Sequence, residues 1–192
     1  MAKVNKENVK EEEKSTVNKE NVKTKNKSVI RKELKSNAKN IEVEVMNITN
    51  GSVFYKCKRT NEIIELDEPG DTTTVSLDLL LNMKTQSKSM LDGLILSIVD
   101  VFDGIDMDSV LDVLGLEDKY KVCDMKLDSI DDFIENSTNE KFEKSLDKIN
   151  EKVLKRIIER AIKLSKQGKL DSNYKRILLE EKSHSKYLFS SI

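Results

Sequence analysis

Hydrophobic periodicity is almost absent from the first 39 residues and begins abruptly at Asn40. Ile41–Ile48 (IEVEVMNI) alternates apolar and polar positions with period two, which predicts a half-buried strand. Thr49–Ser52 (TNGS) contains the Asn-Gly pair favoured in tight hairpins. Val53–Arg59 (VFYKCKR) alternates again, with Val53, Tyr55 and Cys57 on one face. Arg59–Glu62 predicts a second turn, Ile63–Leu66 a third short strand, and Asp67–Asp71 (DEPGD) a loop with Pro-Gly turn chemistry. Thr72–Leu77 is β-branched and is the candidate fourth strand. The expectation is an antiparallel meander of three or four strands, which needs covering helices to be stable.

Helical spacing then takes over. Ser76 is the expected N-cap of a helix through LDLLLNMKTQ. Gly93–Asp100 (GLILSIVD) is a short apolar run that periodicity alone does not assign, and its Ile and Val content favours a strand. Asp106–Leu116 predicts a short helix stopped near Gly115, and Ser129–Ser137 another. Ser137-Thr138-Asn139-Glu140 has the capping-box spelling. Phe142, Leu146, Ile149, Val153, Ile157, Ala161 and Leu164 then recur at spacings of three and four. That stripe predicts one long amphipathic helix over 139–167, stopped at Gly168. Asp171 or Ser172 should cap a last helix to about Lys182, and the apolar end of the tail HSKYLFSSI should dock on the body or on a partner.

Composition changes the picture at the N-terminus. Apolar residues make up 37% and charged residues 36%, against averages of roughly 45–50% and 25%, so part of the chain is not core. Residues 1–39 are that part. The heptad VNKENVK occurs at Val4–Lys10 and again at Val17–Lys23, 13 residues later. That spacing is neither a heptad multiple nor a solenoid period, and two copies cannot stack a core. The Lys, Glu and Asn content predicts disorder in isolation, with Val29–Leu34 able to become helical when bound. This arm holds 12 Lys+Arg and 6 Glu, a charge of +6, and the other 22 basic and 29 acidic residues leave the body at −7. A basic extension on an acidic body suits docking on a neighbouring copy, an acidic partner or nucleic acid. The fold class expected is α+β: arm 1–39, a small α+β unit 40–120 and a helical unit 121–192.

Candidate chemistry is sparse. The single histidine, His184, allows no triad and no two-His metal site, and is expected to be an ordinary surface residue. Asp100, Asp103, Asp106 and Asp108 resemble a calcium loop in composition. Gly104 is misplaced for one, however, and no glutamate sits at the required offset, so Asp106 or Asp108 is better read as a helix cap. The six glycines are too far apart for a phosphate loop. Cys57 and Cys123 match no zinc or redox spacing, which predicts two reduced thiols. Seven bases between Lys152 and Lys169 are expected to form a solvated helix face, with nucleic-acid binding the weaker alternative. No catalytic, cofactor-binding or metal-binding residue is assigned, and no enzymatic activity or cofactor is expected. There is no secretory apolar region in the first 28 residues and no run of about 18–20 apolar residues, so neither secretion nor a membrane span is expected.

Residues 41 to about 120 also carry a resemblance. A strand ending in Asn (EVMNITNGSV), an aromatic-basic strand (FYKCKRTNE) and a glycine-containing loop (EPGDTTTVSL) come first. A helix (LDLLLNMK), the apolar segment LILSIVDVF and LGLEDKY follow in order. This resembles small proteins from the structural gene clusters of tailed phages and prophages of Gram-positive hosts. The resemblance implies a non-enzymatic virion subunit of the connector, tail or a ring. Such a subunit would assemble with its own copies or with other virion proteins, in the particle or the host cytoplasm. The alternative is a soluble adaptor or regulator whose basic arm binds a host protein or nucleic acid.

Overall fold

The structure, a computed structural model, describes residues 27–190. Both copies of the repeated heptad lie outside them. The fold is α+β, as expected, with eight α-helices among the described residues.

Strands β1 (Glu42–Asn47), β2 (Val53–Lys56), β3 (Ile63–Leu66), β4 (Thr72–Ser76) and β5 (Leu96–Val101) follow the predicted order. The apolar run at 93–100 is therefore a strand at its core, and Leu96, Ser97, Ile98 and Val99 are all buried. Burial on both faces is why it reads as a continuous apolar run. The pairing differs from a meander. β1 lies between β4 and β5, antiparallel to both, while β2 and β3 form a separate antiparallel hairpin. Asn50-Gly51 therefore does not join two paired strands.

The reason lies at the end of β1. Asn47 is wholly buried. Its amide nitrogen donates to the carbonyls of Gly51 (2.7 Å) and Glu68 (3.1 Å), and its Oδ1 accepts from the Thr49 backbone N–H and hydroxyl, both at 2.9 Å. One side chain thus fastens the chain where it leaves the sheet and where it returns, through hydrogen bonds that outcompete a tight β1–β2 turn. The true hairpin turn is Cys57–Glu62, with Asn61 in the left-handed region at φ 59°.

Helix α1 (Lys27–Ser36) precedes the sheet, and α2 (Leu77–Gln86) and α3 (Lys88–Asp92) separate β4 from β5. Ser76 caps α2 as expected, its hydroxyl accepting from Leu79 N–H at 3.1 Å. Helix α4 (Met107–Leu114) is capped by Asp106 and ends at Gly115, whose φ of 72° suits glycine. Val43, Val45, Ile98, Leu80, Met83, Val110 and Leu114 share one core with Val53, Tyr55 and Ile64 from the inner face of the hairpin.

The arm boundary at 39 needs correction. Residues 27–38 belong to the body, because Leu34 and Ala38 are buried in that core. Arg31 grips both carboxylate oxygens of Asp112 on α4, and Lys27 reaches Glu117 at 3.4 Å. Five of the twelve bases of 1–39 fall in 27–39, and two of them, Lys27 and Arg31, pair with Glu117 and Asp112 of this chain's own body rather than reaching outward.

The second correction concerns the helix expected over 139–167. After α5 (Leu127–Asn136) the chain forms α6 (Asn139–Leu146), breaks, and continues as α7 (Glu151–Lys166). Asn150 makes the break, its Oδ1 accepting from the N–H groups of Lys152 (3.0 Å) and Val153 (3.1 Å) as a strong N-cap. The capping box also shifts by one residue. Thr138 caps α6 through Lys141 N–H, while Ser137 donates to Phe133 O and closes α5. Helix α8 (Asn173–Lys182) is capped by Ser172, and the tail docks on the body through buried Phe189.

Phe142, Ile157, Ala161, Leu164 and Leu179 build a second core with Ile130 and Ile134, joined by Ile48 and Leu94 from the ends of the sheet region. Tyr120 packs against both cores. Its hydroxyl accepts from Ile98 N–H at 2.6 Å and lies 3.0 Å from Ser97 Oγ, so it occupies the outer edge of β5 and blocks further strand pairing there.

Candidate interaction surfaces

Three helix C-termini end against a cation from a different element. Arg156 of α7 donates through Nε and Nη2 to Gly93 O after α3, both at 3.2 Å. Lys84 of α2 donates to Val113 O of α4 at 3.0 Å. Lys175 of α8 donates to Ile134 O (2.6 Å) and Glu135 O (3.1 Å) of α5, and sits 5.4 Å from the centre of the Phe142 ring. Terminal carbonyls lack helical partners and carry the negative end of the helix dipole, so each cation satisfies both needs. Burial pushes the pKa of Lys84 and of Lys175 down from the ordinary lysine value.

The basic stretch 152–169 is therefore not simply a solvated face. Arg156 is buried on Gly93 O and Glu159. Arg160 is buried and bidentate on Asp131. Lys152 joins Lys119 on Asp92, at 2.5 and 2.8 Å. Hydrogen bonds from Lys119 and then Lys152 hold the Asp92 carboxyl down to about 2. These three α7 bases join elements of the fold, and Lys166 and Lys169 remain exposed.

The aspartates of 100–108, the two cysteines and His184 are dispersed over the fold. Asp106 caps α4, while Asp100, Asp103 and Asp108 point to solvent, and no three His, Cys, Asp or Glu side chains among the described residues are placed to hold a metal ion. Cys57 is buried in the hairpin turn. Cys123 is half-buried in a cleft of about 450 Å³ with Asp128, Asp132, Ser137 and Lys141. Burial, then the nearby Asp124 charge, pushes its thiol up to about 12, so it is protonated at neutral pH and a poor nucleophile. His184 is exposed after α8, beside a groove of about 400 Å³ lined by Leu154, Ile158 and Leu188.

The feature that stands apart is the outer face of the β2–β3 hairpin. Val53, Tyr55, Ile64 and Leu66 point into the core, which leaves Phe54 and Lys56 on β2, and Ile63 and Glu65 on β3, facing out. Phe54 is 62% exposed and Ile63 55%. Phe54 stands opposite Glu65, and Lys56 opposite Ile63, so the two apolar side chains are diagonal neighbours. Arg59 in the turn is paired with Asp78 of α2, which fixes the hairpin against the body. The alternation in VFYKCKR already placed Phe54 and Lys56 opposite the core face. Their importance was not evident because one exposed aromatic residue is ordinary, and the pairing with Ile63 depends on register.

No helix among the described residues is long and apolar enough to cross a membrane. No family model, curated protein or solved structure matches this chain.

Proposed function

We propose that this protein is a non-enzymatic structural subunit of a tailed-phage particle, a component of the connector, tail or a ring, that works by binding protein neighbours. The observation that carries the reading is the hairpin. A two-stranded sheet anchored on the body presents Phe54 and Ile63 to solvent as diagonal neighbours, and paired exposed apolar groups rimmed by charge mark association surfaces. The resemblance of 41–120 to structural proteins of phages of Gram-positive hosts supplies the kind of assembly. Of the six cations of α7 that could have suggested a nucleic-acid surface, Lys152, Arg156 and Arg160 are engaged within the fold.

Gradient sedimentation of particles from an induced lysogen tests this. The chain should band with the particles, and a Phe54→Ser/Ile63→Thr variant, still folded, should remain at the top of the gradient. Wild-type chain found only in the soluble fraction would refute the reading.

A further inference from the structure

We infer that the outer face of the β2–β3 hairpin pairs with the same face of a second copy of this chain. The four outward side chains stand at the corners of a rectangle. Its sides are about 4.8 Å between strands and about 7 Å for two residues along a strand. Phe54 and Ile63 occupy one diagonal, Lys56 and Glu65 the other. Lys56 and Glu65 are both exposed, and neither makes an ion pair among the described residues.

This arrangement is self-complementary. A two-fold axis lying in the plane between two such faces, along the Phe54–Ile63 diagonal, sets Phe54 on Phe54 of the second copy and Ile63 on Ile63. On a rectangle of these sides the same rotation brings each of the other two corners to about 3 Å from the opposite corner of the second copy, an offset that the long Lys56 and Glu65 side chains span. Lys56 then faces Glu65 of the second copy, and Glu65 faces its Lys56. One operation covers the apolar diagonal and forms two opposite-charge pairs, as an isologous interface requires. A neutral or single-sign rim would give no such preference for a second copy over any other apolar partner.

Four side chains cover on the order of a few hundred Å² per copy, below the roughly 800 Å² per partner of a standard stable interface. The pair is therefore weak and concentration-dependent in solution, and gains strength where many copies are held together. For its use in a particle the inference rests on the structural-subunit reading above.

Light scattering of the full chain over a concentration series provides the test, with wild type, K56E, E65K and an equimolar mixture of the two variants. The wild type should approach twice the monomer mass as concentration rises. Each variant alone places like charges at both meeting points and should stay monomeric. The mixture should recover the doubling, because one variant then offers two acids and the other two bases. Circular dichroism should show all three chains folded, as the positions are exposed. A wild type that stays monomeric throughout, variants that associate as well as wild type, or a mixture that fails to recover would each overturn the pairing. If the chain nevertheless bands with particles, the structural-subunit reading survives and only this partner assignment is lost.

Discussion

Lys175 Nζ donates to the carbonyl oxygen of Ile134 at 2.6 Å, across 41 residues of sequence, from a side chain buried to 3% exposure. A buried ammonium is costly unless its hydrogens are used, and here it closes the end of α5 and faces the Phe142 ring. Lys175→Met keeps the aliphatic stem and removes the donors. Two carbonyls then lose their partner, at about 1–3 kcal/mol of stability. Urea unfolding should show a lower midpoint with the slope unchanged, and an unchanged midpoint would mean that water replaces the lysine.

Asn47 should be the most sensitive polar position of the sheet. Asn47→Ala removes four hydrogen bonds that hold the departing and returning loops. We expect a loss of about 2–4 kcal/mol, with amide exchange accelerated in 48–52 and 67–71. Asn47→Asp, which keeps the acceptor and loses both donors, should be destabilised as well.

Two truncations separate the arm from the body. A chain beginning at Lys27 retains every described contact and should unfold at the same midpoint as the full chain. A chain beginning at Asn40 lacks Leu34, Ala38 and the Arg31–Asp112 pair and should lose about 3–5 kcal/mol. Equal stability of the two chains would show that α1 contributes nothing to the core it enters.

Acid should weaken the fold through two carboxylates in particular. Hydrogen bonds from Lys119 and Lys152 hold Asp92, and those from Arg31 hold Asp112, at about 2 against an ordinary 3.8. The unfolded chain therefore takes up these protons before the folded protein does. The stabilisation is complete above about pH 4 and is lost as pH falls through about 2. Urea midpoints should drop between pH 5 and pH 2.5. An Asp92→Asn/Asp112→Asn variant, less stable at pH 5, should show a smaller drop. An equal drop in both chains would assign the acid sensitivity to other groups.

Local chemistry made much of this fold legible before its structure. Ser76, Asp106 and Ser172 are short polar side chains at the start of apolar-periodic runs, and each caps the helix that follows. Gly115 and Gly168 both adopt positive φ just after a helix. The repeat VNKENVK lies outside the described residues and has no structural outcome. The stripe from Phe142 to Leu164 named the right inward residues but not the break between them. Spacings of three and four continue through Leu146, Ile149 and Val153, whereas the N-cap at Asn150 interrupts the backbone.

The α+β class, the order of the strands along the chain, most helix ends and the face each strand turns inward were legible before folding, because all of these follow from neighbours within a few residues. Long-range packing settled that β1 pairs with β4 and β5 rather than with β2, that α1 belongs to the body, and that Arg156, Arg160 and Lys175 face the interior. It also set Phe54 diagonal to Ile63. Those outcomes depend on partners 9 to 81 residues apart, and a pattern read along the chain does not record which distant group satisfies a buried charge, a helix end or a strand edge.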